Sequence, residues 1–468
     1  MAVSPAIWIV TLWMLRCGSR GIDAWVGGGG TLEEGTNWDQ VYILLIALAG
    51  FVAVFARGRR VSDVLRQNPA IVLMFAYMTV SVTWSEVGVD SAKRLFRAYG
   101  DLAMVLLVAS EARPFEAMKV LVRRIMIILI PLSLVLAKYY PDIGRWPEKN
   151  WAQDTWIGVA THKNTLGPLC FLAAYYCLVM LLETRRRRPS WLQTIRAMPL
   201  ETAYLGMSIY LLNGNGQDRS VTSILTFCLA VFLYVFFERF RRTPKKILPF
   251  LIIVCVSITV IQLGATLLLD RSLLNMASDL RGKEEYLSGR GELWPEVIKE
   301  ANKHPWIGAG YGGFWSPRVL TMMHSMFSWG PAQSHNGYVE TYAQLGIIGL
   351  ILLALVILSA VRGAIRACFY NFDFGRWRIV LLLCALVHNI AEAGIPRPTH
   401  FVWFTFLLVA INSASRMAGS SRKQRAHRAI GEKSTSVPVV TGAMNSLGRW
   451  ARLVRAPGCS IHLPPTVV

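Results

Sequence analysis

The sequence predicts an all-α, polytopic integral membrane protein of about twelve transmembrane helices, with ten as the lower bound, and three observations carry this. Of the 468 residues, 54% are hydrophobic and only 16% are charged, where a soluble chain of this size carries about a quarter charged residues. The apolar residues are gathered into runs such as "VYILLIALAGFVAVFA", "IMIILIPLSLVLA" and "ILPFLIIVCVSITVIQLGATLLL". The positive charge recurs in alternate connections between those runs.

Spans are expected over 3–15, 41–56, 70–84, 98–110, 125–137, 166–182, 200–213, 221–237, 247–269, 346–361, 379–391 and 400–412. The first, "AIWIVTLWML", has no preceding Lys or Arg and no small-residue cleavage site, so it reads as a short span rather than a removed signal peptide. After the second, fourth, sixth, eighth and tenth spans come "ARGRR", "VRR", "TRRRRPS", "ERFRRTPKK" and "RWR", and the chain closes on a basic tail. These connections and the tail hold most of the 49 Lys and Arg. The excess of Lys and Arg on the cytoplasmic side then places both termini in the cytoplasm. The net charge of +21 therefore reports topology and contact with anionic lipid, and nucleic acid is not an expected partner.

Two outward connections are long. One is 138–165, "KYYPDIGRWPEKNWAQDTWIGVATHKNT", and the other is 270–345, between the ninth and tenth spans. Both are rich in Trp, Tyr and Gly rather than in the Ser, Glu and Lys of disordered segments, which points to ordered, functional loops. A membrane domain over 1–412 and a cytoplasmic, disordered basic tail over 413–468 follow. The eight cysteines supply no disulfide framework, because Cys170, Cys177, Cys228, Cys255 and Cys384 fall inside spans and only Cys17 faces outward.

The stretch "SHNGYVETYAQLGIIG", 334–349, sets a histidine and polar aromatics against the start of a span. Read as a helix over 335–346, it puts His335, Val339, Tyr342 and Gly346 on one face. Two readings fit: an interfacial helix whose histidine meets water or headgroups, or a proton-handling site, since histidine is the side chain suited to exchange a proton near neutral pH. Gly346 and Gly349 have the spacing that lets a neighbouring helix approach closely. The outward histidines lack the paired spacing of a zinc site, and no Asp-x-Asp cluster faces outward. No metal and no cofactor is expected.

Residues 335–349 read His-Asn, nine residues, Gly-Ile-Ile-Gly, and this resembles the motif of the O-antigen ligase and Wzy-type polysaccharide polymerase superfamily. Three further stretches are similar to the same superfamily: "SGRGELWPEVIKEANKHPWIGAGYGGF" to the opening of its large periplasmic loop, "THKNTLG" at 161–167 to its rhizobial-type exopolysaccharide branch, and "HNIAEAGI" at 388–395 to the end of its penultimate span. A departure is "NGQDRSVTS" at 215–223, where a Ser-Lys or Ser-Arg pair is usual and Asp218 precedes Arg219 here.

The resemblance implies a multi-span lipid-linked glycosyltransferase architecture of GT-C-like type, a polyprenyl-diphosphate-linked oligosaccharide as donor, and a bacterial inner membrane location with the active face periplasmic. It implies His335 as a catalytic base or orienting partner with Asn336 beside it. Arg290 in "SGRGELW" reads either as a surface arginine or as a fork-shaped donor gripping a diphosphate, joined by Arg219 or Arg397. His162, Lys163 and Asn164 make a second polar knot, with snorkelling of Lys163 as its plain reading. His162, Lys163, Tyr342, Glu392 and Arg397 complete the candidate substrate-binding set. Asp101, His388, Glu392, Arg397 and His400 fit an internal bracing network as well as they fit a site.

The expected function is metal-independent glycosyl transfer, with "THKNTLG" favouring exopolysaccharide repeat polymerisation over ligation to lipid A core. Other assembly and chain-length proteins are candidate partners. A transporter or flippase of lipid-linked sugars is the competing class, disfavoured by the absence of an internal repeat. A scaffold supported by the basic tail is the third.

Overall fold

The computed structural model describes residues 3–26, 37–146, 155–215, 220–255, 257 and 290–413. Among the described residues the chain is helical and contains no strand, only one isolated bridge between Arg145 and Trp156. The helices are α1 (Ile7–Gly18), α2 (Ile22–Val26), α3 (Asn37–Ala56), α4 (Gly58–Gln67), α5 (Pro69–Ser81), α6 (Gly88–Ala109), α7 (Pro114–Tyr139), α8 (Pro141–Gly144) and α9 (Lys163–Arg185). They continue as α10 (Trp191–Ala197), α11 (Pro199–Asn213), α12 (Val221–Phe237), α13 (Arg290–Ala301), α14 (Pro317–Met326), α15 (Gly337–Tyr370), α16 (Phe372–Ala391) and α17 (Phe401–Ala410). The chain is also helical over 247–255.

Local chemistry sets many of the boundaries. Proline opens α5, α7, α11 and α14 at the first turn, where its missing N–H costs nothing. Side chains cap others: Ser190 accepts from Gln193 N before α10, and Asn371 accepts from Phe374 N before α16, satisfying donors with no partner inside the helix. Six helices among the described residues are long and apolar enough to cross a membrane, lying over Trp38–Ala56, Pro114–Tyr139, Lys163–Arg185, Val221–Phe240, Gly337–Tyr370 and Phe372–Ala391. Helix covers most of the described part of each expected span, 247–269 being described only in part, and the six long apolar helices fall on six of the twelve. Shorter apolar helices stand at Ile7–Gly18, Pro69–Trp84 and Phe401–Ala410.

Helix α9 packs on α7, α11 and α12, while α16 packs on α12, α15 and α17. Helix α17 is buried along its whole length, because every residue from Phe401 to Ala410 lies in the interior. It reads as a central post around which α1, α6, α9, α15 and α16 gather. A second, smaller apolar cluster joins Leu293 and Val297 of α13, Phe314, Trp315, Val319 and Met323 of α14 and its approach, and Ala343 of α15. It holds the segment before α15 in place. Charges brace the opposite ends of the helices: Arg376 of α16 is 1% exposed, lies over the Tyr234 ring at 3.6 Å, and pairs with Asp373 and Glu238.

Candidate active site

The end of α1, the first half of α6, the start of α9, the turn before α15 and the loop after α16 meet around a cavity of about 360 Å³. His335 lines it, and its position corrects the helical reading of 335–346. Asn336 precedes the helix with extended backbone, and its side-chain oxygen accepts from Tyr338 N at 2.9 Å and Val339 N at 3.3 Å. The cap starts α15 at Gly337, so His335 stands outside it with φ +51°. The histidine therefore shares no helical face with Val339 and Tyr342. Gly337 permits the arrangement, since a Cβ there would lie 2.0 Å from Asn389 Oδ1.

His335 Nδ1 lies 3.3 Å from Glu392 Oε2. The other carboxylate oxygen accepts from Asn164 Nδ2 at 2.5 Å, so Glu392 joins the α9 knot to the histidine. His162 caps α9, its Nδ1 accepting from Asn164 N at 3.1 Å, and its ring meets Trp146 edge-on at 5.4 Å. Arg397 lines the cavity and donates to Gln333 Oε1 at 3.2 Å. Trp329 lies beside His335, ring centres 5.7 Å apart.

Other expected residues fall elsewhere. Tyr342 and Lys163 do not line the cavity. The Tyr342 hydroxyl donates to Asn302 Oδ1 at 2.6 Å, tying α15 to the end of α13, and Lys163 is the first residue of α9. Arg290 is the first residue of α13, with its side chain outside the description, and Arg219 lies outside the described residues. Gly346 serves a different contact from the one its spacing suggested. Its φ of +65° and ψ of −165° break α15, and the freed donors turn to a loop: Ile347 N bonds Pro305 O at 2.9 Å and Ile348 N bonds Trp306 O at 3.2 Å. What approaches Gly346 is the Trp306 backbone rather than a helix, while Gly349 abuts Leu345 across the kink.

The cavity also draws in residues the sequence reading passed over. Arg16 and Arg20 come from the end of α1 and just beyond it, and Arg94 and Arg97 from α6. Arg16 grips Asp39 with Nε and Nη2 at 2.6 and 2.7 Å. Arg20 cradles the carbonyls of Ile143, Gly158, Val159 and Ala160, and burial pushes its guanidinium below its ordinary pKa. With Arg397, five arginines face the cavity beside two carboxylates, Glu340 and Glu392. A signal for two of them existed: Arg94, Arg97 and Asp101 lie on one face of α6 by the i, i+3, i+7 rule. Such a lining suits a substrate with two or more negative charges on planar or tetrahedral oxygens.

Residues 217–354 match the sequence profile of the O-antigen ligase family. The exopolysaccharide production protein ExoQ of Rhizobium meliloti (strain 1021) is 32% identical over 90 residues, which is 18% of this chain and 21% of that protein. The chain thus matches about a fifth of the length of that curated relative. The profile match holds His335, Asn336 and both glycines, whereas Asn164, Glu392 and the other lining arginines come from outside it. Residues 217–354 are thus similar to the O-antigen ligase family, and a 90-residue stretch of the chain is similar to an exopolysaccharide production protein.

Proposed function

We propose that the chain catalyses glycosyl transfer in cell-surface polysaccharide assembly, taking an oligosaccharide on a polyprenyl diphosphate and joining it to a second lipid-linked repeat. The observation that supports this most is the meeting, in one cavity, of a histidine backed by a carboxylate with arginines from three separate segments. Glu392 on Nδ1 favours the tautomer with its proton there, which leaves Nε2 as the basic edge. The acceptor hydroxyl gives its proton to Nε2 as its oxygen bonds the anomeric carbon. The bond from that carbon to the phosphate oxygen breaks, and its electron pair leaves with the diphosphate. Glu392 stabilises the imidazolium, and Arg397, with Arg290 and Arg219, neutralises the leaving group.

The rest of the arrangement is part of the same proposal. Twelve spans cross the bacterial inner membrane, 270–345 lies in the periplasm with the site, and both termini with the 413–468 tail lie in the cytoplasm. The transfer is metal-independent, the guanidinium groups supplying the positive charge. Ligation of polymer to lipid A core is the second reading, favoured by the ligase description of the matching family.

The test uses the full chain in liposomes with a defined lipid-diphosphate oligosaccharide. A product ladder supports polymerisation, and a single transfer to added lipid A core supports ligation. Sugar-lipid translocation without any new glycosidic bond would sink both. His335→Ala is expected to slow the transfer by roughly 100- to 10,000-fold with the protein still folded.

A further inference from the structure

The two non-glycine residues with positive φ among the described residues, His335 at +51° and Thr399 at +52°, both line the cavity. Side chains other than glycine seldom adopt this region. Such conformations persist where the surroundings over-determine them, and they gather at functional sites. Each has the same support. A buried carboxylate takes a backbone N–H from the bent loop on one oxygen and a tryptophan indole N–H on the other.

For His335 the carboxylate is Glu340 of α15. Its Oε2 accepts from Ser334 N at 3.0 Å, and its Oε1 accepts from Trp315 Nε1 at 2.9 Å and Gln344 Nε2 at 2.7 Å. Gln344 in turn accepts from Gly312 N at 2.8 Å, and the Gly312 carbonyl accepts from Arg94. For Thr399 the carboxylate is Asp101 of α6. Its Oδ2 accepts from Thr399 N at 2.9 Å, and its Oδ1 accepts from Trp13 Nε1 at 2.7 Å. Asp101 has no exposure at all, and Glu340 is 7% exposed.

A carboxylate that accepts on both oxygens cannot be replaced by its amide without turning an NH2 toward a donor. The bend at 334–335 aims His335 at Glu392, and the bend at 399 lies two residues after Arg397. We infer that Glu340 and Asp101 are a matched pair of positioning residues, Glu340 setting the histidine against its carboxylate and Asp101 setting the loop that carries Arg397. The inference rests on the functional reading above and adds to it two residues whose role is to hold the loops that carry His335 and Arg397.

The test measures transfer kinetics in liposomes per unit of folded, monodisperse enzyme. Glu340→Gln is expected to lower kcat about 10- to 100-fold, the scale of a misplacement of about 1 Å, with KM for the donor within about twofold. In a His335→Ala background the same change should leave the residual rate unaltered, because its effect runs through the histidine. Asp101→Asn should instead raise KM for the donor about tenfold and leave kcat within about threefold, a direction that a reduced folded fraction cannot produce. Trp315→Phe and Trp13→Phe each remove one donor only. They should show weaker shifts of the same two kinds, which keeps the test open if either amide variant fails to fold. Wild-type kinetics for Glu340→Gln beside an inactive His335→Ala would overturn the inference alone, as would equal losses in both backgrounds. A fully active His335→Ala would overturn the functional reading and this one with it.

Discussion

Replacing Arg20 by methionine keeps a long stem and removes every donor. Arg20 Nη2 lies 2.6 Å from Gly158 O, 2.8 Å from Ile143 O and 3.0 Å from Ala160 O, and Nε lies 3.3 Å from Val159 O. Its guanidinium also stacks over the Trp25 ring at 5.1 Å. Hydrogen bonds from charged groups contribute about 1.5–3 kcal/mol each, but one NH2 shared by three carbonyls supplies two hydrogens, and among the described residues no carboxylate pairs with Arg20 to offset the burial of its charge. Counting about two effective bonds, less part of the desolvation recovered, the loss is about 2–4 kcal/mol. It should fall on the loop that carries His162 to the cavity. Two readouts check it: heat-induced loss of the monodisperse peak in detergent, and hydrogen exchange over 155–162, where Ile157 N and Gly158 N both bond Gly144 O. Arg20→Met should melt several degrees lower and exchange faster there, with Arg20→Lys in between. An Arg20→Met protein with unchanged melting and unchanged exchange would refute the cradle as a stabilising element.

Gly346→Ala must enter the left-handed region and bring a Cβ to 2.3 Å from Trp306 O. It should lose about 1–3 kcal/mol and lower the melting temperature, whereas Gly206→Ala on α11, which meets nothing within 4 Å, should be neutral or mildly stabilising. If Arg290 holds a diphosphate through its planar fork, Arg290→Lys should fail nearly as badly as Arg290→Ala in the liposome assay, and full activity in the lysine variant would reduce it to a generic charge. Reporter fusions at Arg187 and Lys245 should read cytoplasmic and those at Asp154 and Gly282 periplasmic, with a periplasmic signal at Arg187 overturning the topology. If guanidinium groups do the neutralising, excess chelator should leave the transfer rate within about twofold.

Local patterns in the chain determined the class and the placement of the helices, because an apolar run of a given length has few alternatives in a membrane. They also singled out His335, Asn336, His162 and Arg397 as residues of interest. The boundary at Gly337 was legible too: asparagine just before a helix is a strong capping signal. As the cap, Asn336 starts the helix one residue later and leaves His335 outside it. Only the tertiary structure decided which residues meet. Asn164 and Glu392 stand 228 residues apart and His335 and Glu392 57 apart, and no periodicity within one helix specifies which neighbour it packs against. The arginines of α1 and α6 carried charge in plain view, but their facing His335 follows from the way α17 gathers α1, α6, α9, α15 and α16 around itself. Gly346 shows the same limit. Its spacing to Gly349 is compatible with a close helix, but the space beside it is occupied by the Trp306 carbonyl. Periodicity is a property of one segment, whereas a site is a property of the contacts between segments.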